Sequence, residues 1–106
     1  MSQLDFHIDY NLVATDLPES IEAEISERIQ ALTEGRNDLI GAAVAVEKIA
    51  GDGDSYLFEA RIVAYLKPEN IAVVEKGPSP ENALKDALSV LERQVREERD
   101  RRRDYE

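Results

Sequence analysis

The sequence predicts an α+β domain in the order β-α-β-β-β-α, a four-stranded sheet with two helices packed on one face. Three observations predict it. Apolar and polar residues alternate along 4–10 and again along 39–66, as half-buried strands require. Residues 17–32 and 84–95 instead carry apolar positions at steps of three and four, the spacing of a helix stripe. Clusters of Gly, Pro, Asp and Asn separate these stretches. Each helix has one apolar stripe to bury, and a single sheet face can cover both.

Leu4, Phe6, Ile8 and Tyr10 alternate with Asp5, His7 and Asp9 to give the first strand. Thr15-Asp16-Leu17-Pro18-Glu19 then supplies a capping residue, a proline in the first turn, where no amide donor is needed, and a glutamate placed to close a capping box from Asp16. The helix that follows has Leu17, Ile21, Ile25, Ile29 and Leu32 on one stripe, with Glu19, Glu22, Glu24 and Glu27 in other directions, and Gly35-Arg36-Asn37-Asp38 ends it. From Leu39 to Ile49 a Val- and Ala-rich strand sets Ile40, Ala42, Val44 and Val46 against Gly41, Ala43, Ala45 and Glu47. Gly51-Asp52-Gly53-Asp54 turns it into a third strand, Tyr56 to Leu66, with Phe58, Ala60, Ile62 and Ala64 on one side and Glu59, Arg61, Val63 and Tyr65 on the other. Lys67-Pro68-Glu69-Asn70 turns again into Ile71 to Lys76, and Gly77-Pro78 breaks the sheet before a helix from Ser79 to Arg103, cored by Leu84, Leu88, Leu91 and Val95.

A chain of 106 residues fits one domain over 1-106, expected to have its ordered core at 3-98 and a flexible tail at 99-106. It has no cysteine, which excludes disulfides, thiolate metal sites and cysteine nucleophiles. No apolar run approaches the roughly 18 residues that read as a membrane span, and the first residues lack the basic and apolar regions of a signal peptide. The expectation is a cytoplasmic protein with no membrane partner.

Charge is distributed unevenly. Residues 79–106 hold 7 of the 13 Lys/Arg and 8 of the 23 Asp/Glu, so nearly all of the net charge of −10 falls on the body of the domain. Such a body repels phosphate, and any nucleic-acid contact must be local and shape-fitted. Acidity of this degree fits high solubility, a salty cytoplasm or a basic partner. At about 100° per residue, Lys85, Arg96 and Arg103 fall a quarter turn from the core side of the last helix, with Arg93 and Arg99 close by. This stripe is either a solvated face whose arginines pair with neighbouring carboxylates or an RNA-backbone contact. On the opposite side of the sheet, Asp5, His7, Asp9, Ala43, Ala45, Arg61, Val63 and Tyr65 form an open face with more small and apolar residues than solvent requires. It is either an ordinary solvated surface or an interaction face, with Ala43, Ala45, Val63 and Tyr65 at its centre.

Asn11-Leu12-Val13-Ala14-Thr15-Asp16, Val44-Ala45-Val46-Glu47-Lys48, Ala60-Arg61-Ile62, Ala83-Leu84 and Leu91-Glu92-Arg93-Gln94-Val95-Arg96 are spread over nearly the whole chain. Through them the sequence resembles the ribosome hibernation promoting factors, also called ribosome-associated inhibitors or sigma-factor modulation proteins, in a short, divergent and acidic form. The resemblance implies the same element order and a translation inhibitor without an active site or cofactor. It also implies binding in the small ribosomal subunit, near the decoding and tRNA sites, with helix cations against ribosomal RNA. Arg93 and Arg96 match the family's helix; Lys85, Arg99 and Arg103 join them as candidate rRNA-binding residues from helix geometry. Lys85 stands where the family more often has an acidic residue. The first helix departs from the family in having Arg28 alone against Glu22, Glu24 and Glu27, which argues against an RNA-facing role for it. Long-form members carry a second, dimer-forming domain, so the expectation here is the short form, without ribosome pairing through that domain. The alternative is an interaction module on the same fold that has lost ribosome binding and either forms a homodimer through the open face or meets a basic partner.

Nothing else in the sequence carries a chemistry. Asp52-Gly53-Asp54-Ser55 opens like a calcium loop, but Leu57 and Val63 stand where that loop needs glycine and glutamate. His7 shares a strand face with Asp5 and Asp9 and reads as a solvated histidine, with no metal expected. No serine has a base partner and no glycine-rich phosphate loop occurs, so neither an enzyme nor a small-molecule substrate is expected.

Overall fold

The computed structural model describes residues 6–34, 38–50 and 56–104. Its elements run β1 (His7–Val13), α1 (Glu19–Ala31), β2 (Leu39–Ala50), β3 (Tyr56–Leu66), β4 (Ile71–Gly77) and α2 (Pro80–Asp104). The four strands form one sheet in the order β1-β2-β3-β4. β1 pairs parallel to β2 through the α1 crossover, while β2, β3 and β4 pair antiparallel.

The predicted fold class and element order are those observed, and three local expectations are corrected. β1 continues through Asn11-Leu12-Val13, because Leu12 carries the inward alternation on and the strand pairs with β2 as far as Glu47. Leu4 and Asp5 lie outside the described residues. The capping box from Asp16 does not form: Pro18 is itself the N-cap, in extended backbone with no side-chain cap, and its carbonyl accepts from the amides of Ile21 and Glu22 at 3.0 Å. Proline disfavours helical backbone at the residue before it, so the helix begins after Pro18 and leaves Asp16 too far upstream. Ile40, placed on the core side by alternation, is 50% exposed. The pairing register slips between Leu39 and Gly41, a bulge that turns Leu39 inward and Ile40 out.

The core lies between the sheet and both helices. Ile25 and Ile29 of α1, Val44, Val46 and Ile62 of the sheet, and Leu84, Leu88, Leu91 and Val95 of α2 are all buried in one cluster. Ser79 Oγ accepts from the Asn82 amide at 3.1 Å and Pro80 takes the first helical position, which sets the start of α2. Gly77 lets that start pack on the sheet: a Cβ there would sit 3.1 Å from the Ala83 nitrogen. Among the described residues three ion pairs tie α2 to the rest of the chain, the longest of them Lys85 to Glu24 of α1 at 3.7 Å. Arg28 of α1 donates to both carboxylate oxygens of Glu92, at 3.1 and 2.7 Å. Arg99 donates to both oxygens of Asp38, at 3.0 and 2.7 Å, and to the Leu32 carbonyl at 2.8 Å.

On the β1 side, the Tyr10 hydroxyl donates to the Glu22 carbonyl at 3.1 Å and shares a 2.6 Å hydrogen bond with the Ser26 hydroxyl. Burial raises its pKa above the ordinary 10.0, with the Ser26 hydrogen bond opposing and the Glu22 charge adding to the rise. The folded pKa thus lies above the unfolded one. The associated stability is complete below about pH 10 and is lost as pH rises through the folded value. Tyr10→Phe should cost about 1 kcal/mol at neutral pH and flatten the fall in stability above about pH 10. Urea midpoints on either side of that pH check this, and an unchanged alkaline slope would contradict it.

Candidate nucleic-acid interface

α2 holds every candidate cation. Its core side is fixed by Leu84, Leu88, Leu91 and Val95, all fully buried. At about 100° per residue, Lys85, Glu92 and Arg99 fall toward α1, Arg93 points away from the core, and Gln94, Glu97 and Arg101 fall toward β4. The contacts agree with these phases. Lys85 Nζ sits 3.0 Å from Glu81 and 3.7 Å from Glu24 of α1, and the Glu81 hydrogen bond followed by the Glu24 charge raises its pKa. Arg28 is held by Glu92, whose hydrogen bond raises the guanidinium's pKa further. Arg99 keeps only 12% of its side chain exposed, against 17% for Asp38, so it is a structural clamp. Arg101 pairs with Glu98. Arg103 lies within α2, and its side chain is outside the described ones.

The candidate stripe is therefore divided. Lys85 pairs with carboxylates at the surface and Arg99 with one that is nearly buried, whereas Arg93 and Arg96 are exposed and have no carboxylate partner among the described residues. They stand one turn apart, so their guanidinium groups can reach successive phosphates. α1, with Glu19 and Glu27 exposed, offers no such surface.

The sequence missed two features. One is the pair of inter-element clamps, whose partners lie 64 and 61 residues apart. The helical phase of Arg99, about 50° from the core centre, was the signal that it would turn inward. The other is a cleft of about 450 Å³ between the start of β4 and the exposed edge of α2, with Asn70, Ile71, Arg93, Gln94 and Glu97 among its lining.

On the open side of the sheet, Ala43 pairs with Val63, Ala45 with Arg61 and Gly41 with Tyr65, so the four expected interaction residues do share one patch. Tyr65 is 37% exposed and Val74, on β4, extends the apolar surface at 43%. Gly41 lets the β1 backbone come close: a Cβ there would lie 3.0 Å from the His7 carbonyl oxygen, and at an ordinary contact distance of 3.5 Å from Tyr65 Cδ2. His7 Nε2 is 3.1 Å from Asp9 Oδ1 on the same open face. Among the described residues no three metal-ligating side chains come together, and both Asp5 and the 52–55 turn lie outside them. No described helix is long and apolar enough to cross a membrane.

The family described as "Sigma 54 modulation protein / S30EA ribosomal protein" matches residues 8–103, which includes every strand and both helices save their outermost residues. The chain belongs to that family. Its members are ribosome-associated modulation factors, and the family is not one of enzymes. Among solved structures, a ribosomal subunit interface protein from Coxiella burnetii superposes with a TM-score of 0.71 at 11% identity, covering 88% of this chain and 97% of its own. The N-terminal domain of Thermus thermophilus Protein Y gives 0.65 at 21% identity, covering 84% and 94%. At these identities the likeness is one of fold. No curated protein matches the chain.

Proposed function

We propose that this S30EA-family protein is a hibernation factor that binds the small ribosomal subunit near the decoding and tRNA sites and holds idle ribosomes inactive, working in the cytoplasm where they reside. The observation that carries the reading is the pair Arg93 and Arg96, which have no carboxylate partner among the described residues on a helix whose other described cations each pair with a carboxylate of the chain. The family and the folds of the two structural neighbours support it. An acidic body limits the contact to a few phosphates. Changing Arg93 and Arg96 together to glutamate should weaken small-subunit binding tenfold or more and leave the fold nearly intact, since exposed charges contribute only about 0–1 kcal/mol each. For the parent protein, the logarithm of the binding constant should fall with the logarithm of salt at a slope of about two, from two phosphates at nearly one unit each. A slope near ten, or a double variant that inhibits translation like the parent, would place the contact elsewhere.

The apolar patch at Ala43, Ala45, Val63, Tyr65 and Val74 favours a second reading, in which two copies associate weakly through their open sheet faces. With strands about 4.8 Å apart and a rise of about 3.3 Å per residue, the face measures roughly 600 Å² per copy, at the low end for a stable pair. Val63→Asp should abolish any dimer seen by sedimentation equilibrium. A dimer that survives Val63→Asp combined with Tyr65→Asp would rule this face out.

A further inference from the structure

α2 is longer than the strand it covers. Its 25 residues span about 37 Å while the 7 of β4 span about 23 Å, so the last turns of the helix run past the start of the strand. The cleft of about 450 Å³ lies at that point. Its lining includes Ile71 and residues of different chemistry: Asn70 and Gln94 with side-chain amides, Glu97 and Glu98 with carboxylates, and Arg93 with a guanidinium. Glu97 and Arg93 are both exposed and neither has a hydrogen-bond or ion-pair partner among the described residues. Arg101, also at the cleft, is already engaged by Glu98.

This combination does not suit an anion alone, because Glu97 would repel it. It suits a ligand that carries a phosphate at one end and N–H donors at the other, with hydrogen-bonding edges that an amide can read. Resting on the ribosomal RNA reading above, we propose that the cleft takes one unpaired guanine nucleotide of the bound RNA. Glu97 accepts from the guanine N1–H and N2–H groups, Gln94 and Asn70 address the remaining edge, and Arg93 at the mouth meets the adjacent phosphate. Guanine is the base that offers a carboxylate two adjacent donors; adenine and cytosine offer one amino group beside a ring acceptor. A base-paired guanine has those donors occupied and is excluded. Arg96, one turn along α2, meets the next phosphate of the same strand, which ties the site to RNA.

The test is an amide-resolved NMR titration of the full chain with a short single-stranded RNA carrying one central guanosine. Controls are the same RNA with adenosine at that place, a hairpin in which the guanosine is paired, free guanosine monophosphate and inorganic phosphate. The expected result is movement of the Asn70, Ile71 and Ala72 amides with the guanosine strand, with binding about tenfold tighter than for the adenosine strand, and loss of that preference in Glu97→Ala. Cleft amides that stay still at millimolar guanosine strand, equal binding of the two strands, or equal shifts from inorganic phosphate would overturn the proposal. So would free guanosine monophosphate binding as tightly as the strand, which would make the cleft a site for a soluble nucleotide. Co-sedimentation of the same preparation with small subunits separates the two readings: a protein that co-sediments but shows no guanosine preference loses the cleft and keeps the ribosome.

Discussion

Leu88→Ala should lower the unfolding free energy by about 3 kcal/mol, within the 2–5 kcal/mol that leucine truncation costs in a packed core. Leu88 is fully buried at the middle of the α2 stripe, in the same cluster as Val44 and Ile62 of the sheet and Ile25 of α1. The lost methyl groups forfeit their transfer free energy, and the sheet cannot collapse into the space because its own register is set by hydrogen bonds on both sides. A domain of this size is stable by about 5–15 kcal/mol, so one truncation consumes a large part of the total. Leu57→Ala is the control: Leu57 is among the exposed large hydrophobics and should change stability by less than about 1 kcal/mol. Urea denaturation of the two variants checks both, and similar losses at the two sites would mean that the core is not where it is described.

Arg99→Ala should cost about 2–4 kcal/mol, because it removes two guanidinium hydrogen bonds from a carboxylate with little access to water and frees the Leu32 carbonyl. For a domain of about 100 residues this is a fall in Tm of roughly 10–20 °C. Replacing both partners by leucine should recover most of the loss, since two apolar groups leave no buried charge behind. Arg93→Ala, at an exposed position with no partner among the described residues, should change Tm little. Equal effects at 93 and 99 would show the Asp38 clamp to be solvated and the division of the α2 cations mistaken.

What the sequence made legible follows from which interactions are local. The stripe Leu84, Leu88, Leu91 and Val95 and the hairpin alternation in β2 and β3 are periodic, and periodicity survives into the structure because each element buries one face. Ile40 was misplaced because a bulge is decided by pairing with β3, which alternation within β2 does not report. The Asp16 cap failed on a local rule that was present in the sequence, the restriction that Pro18 imposes on its predecessor. For the candidate site, the arginines themselves were legible, but their availability was not. Lys85 pairs first with Glu81 one turn away, a local pairing the sequence allows, but Arg99 is met by Asp38, 61 residues away, and only the tertiary fold could show that Arg99 is engaged while Arg93 and Arg96 are open. The cleft between Asn70 and Glu97 was invisible for the same reason, since it exists only where α2 overruns β4.

The most direct measurement of the central claim is sedimentation of the unmutated protein through a sucrose gradient with separated ribosomal subunits at physiological salt. The account predicts that the protein travels with the small subunit, stays away from the large one, and is lost from the small-subunit peak when Arg93 and Arg96 are both changed to glutamate. Protein that remains at the top of the gradient beside an intact small-subunit peak would contradict it.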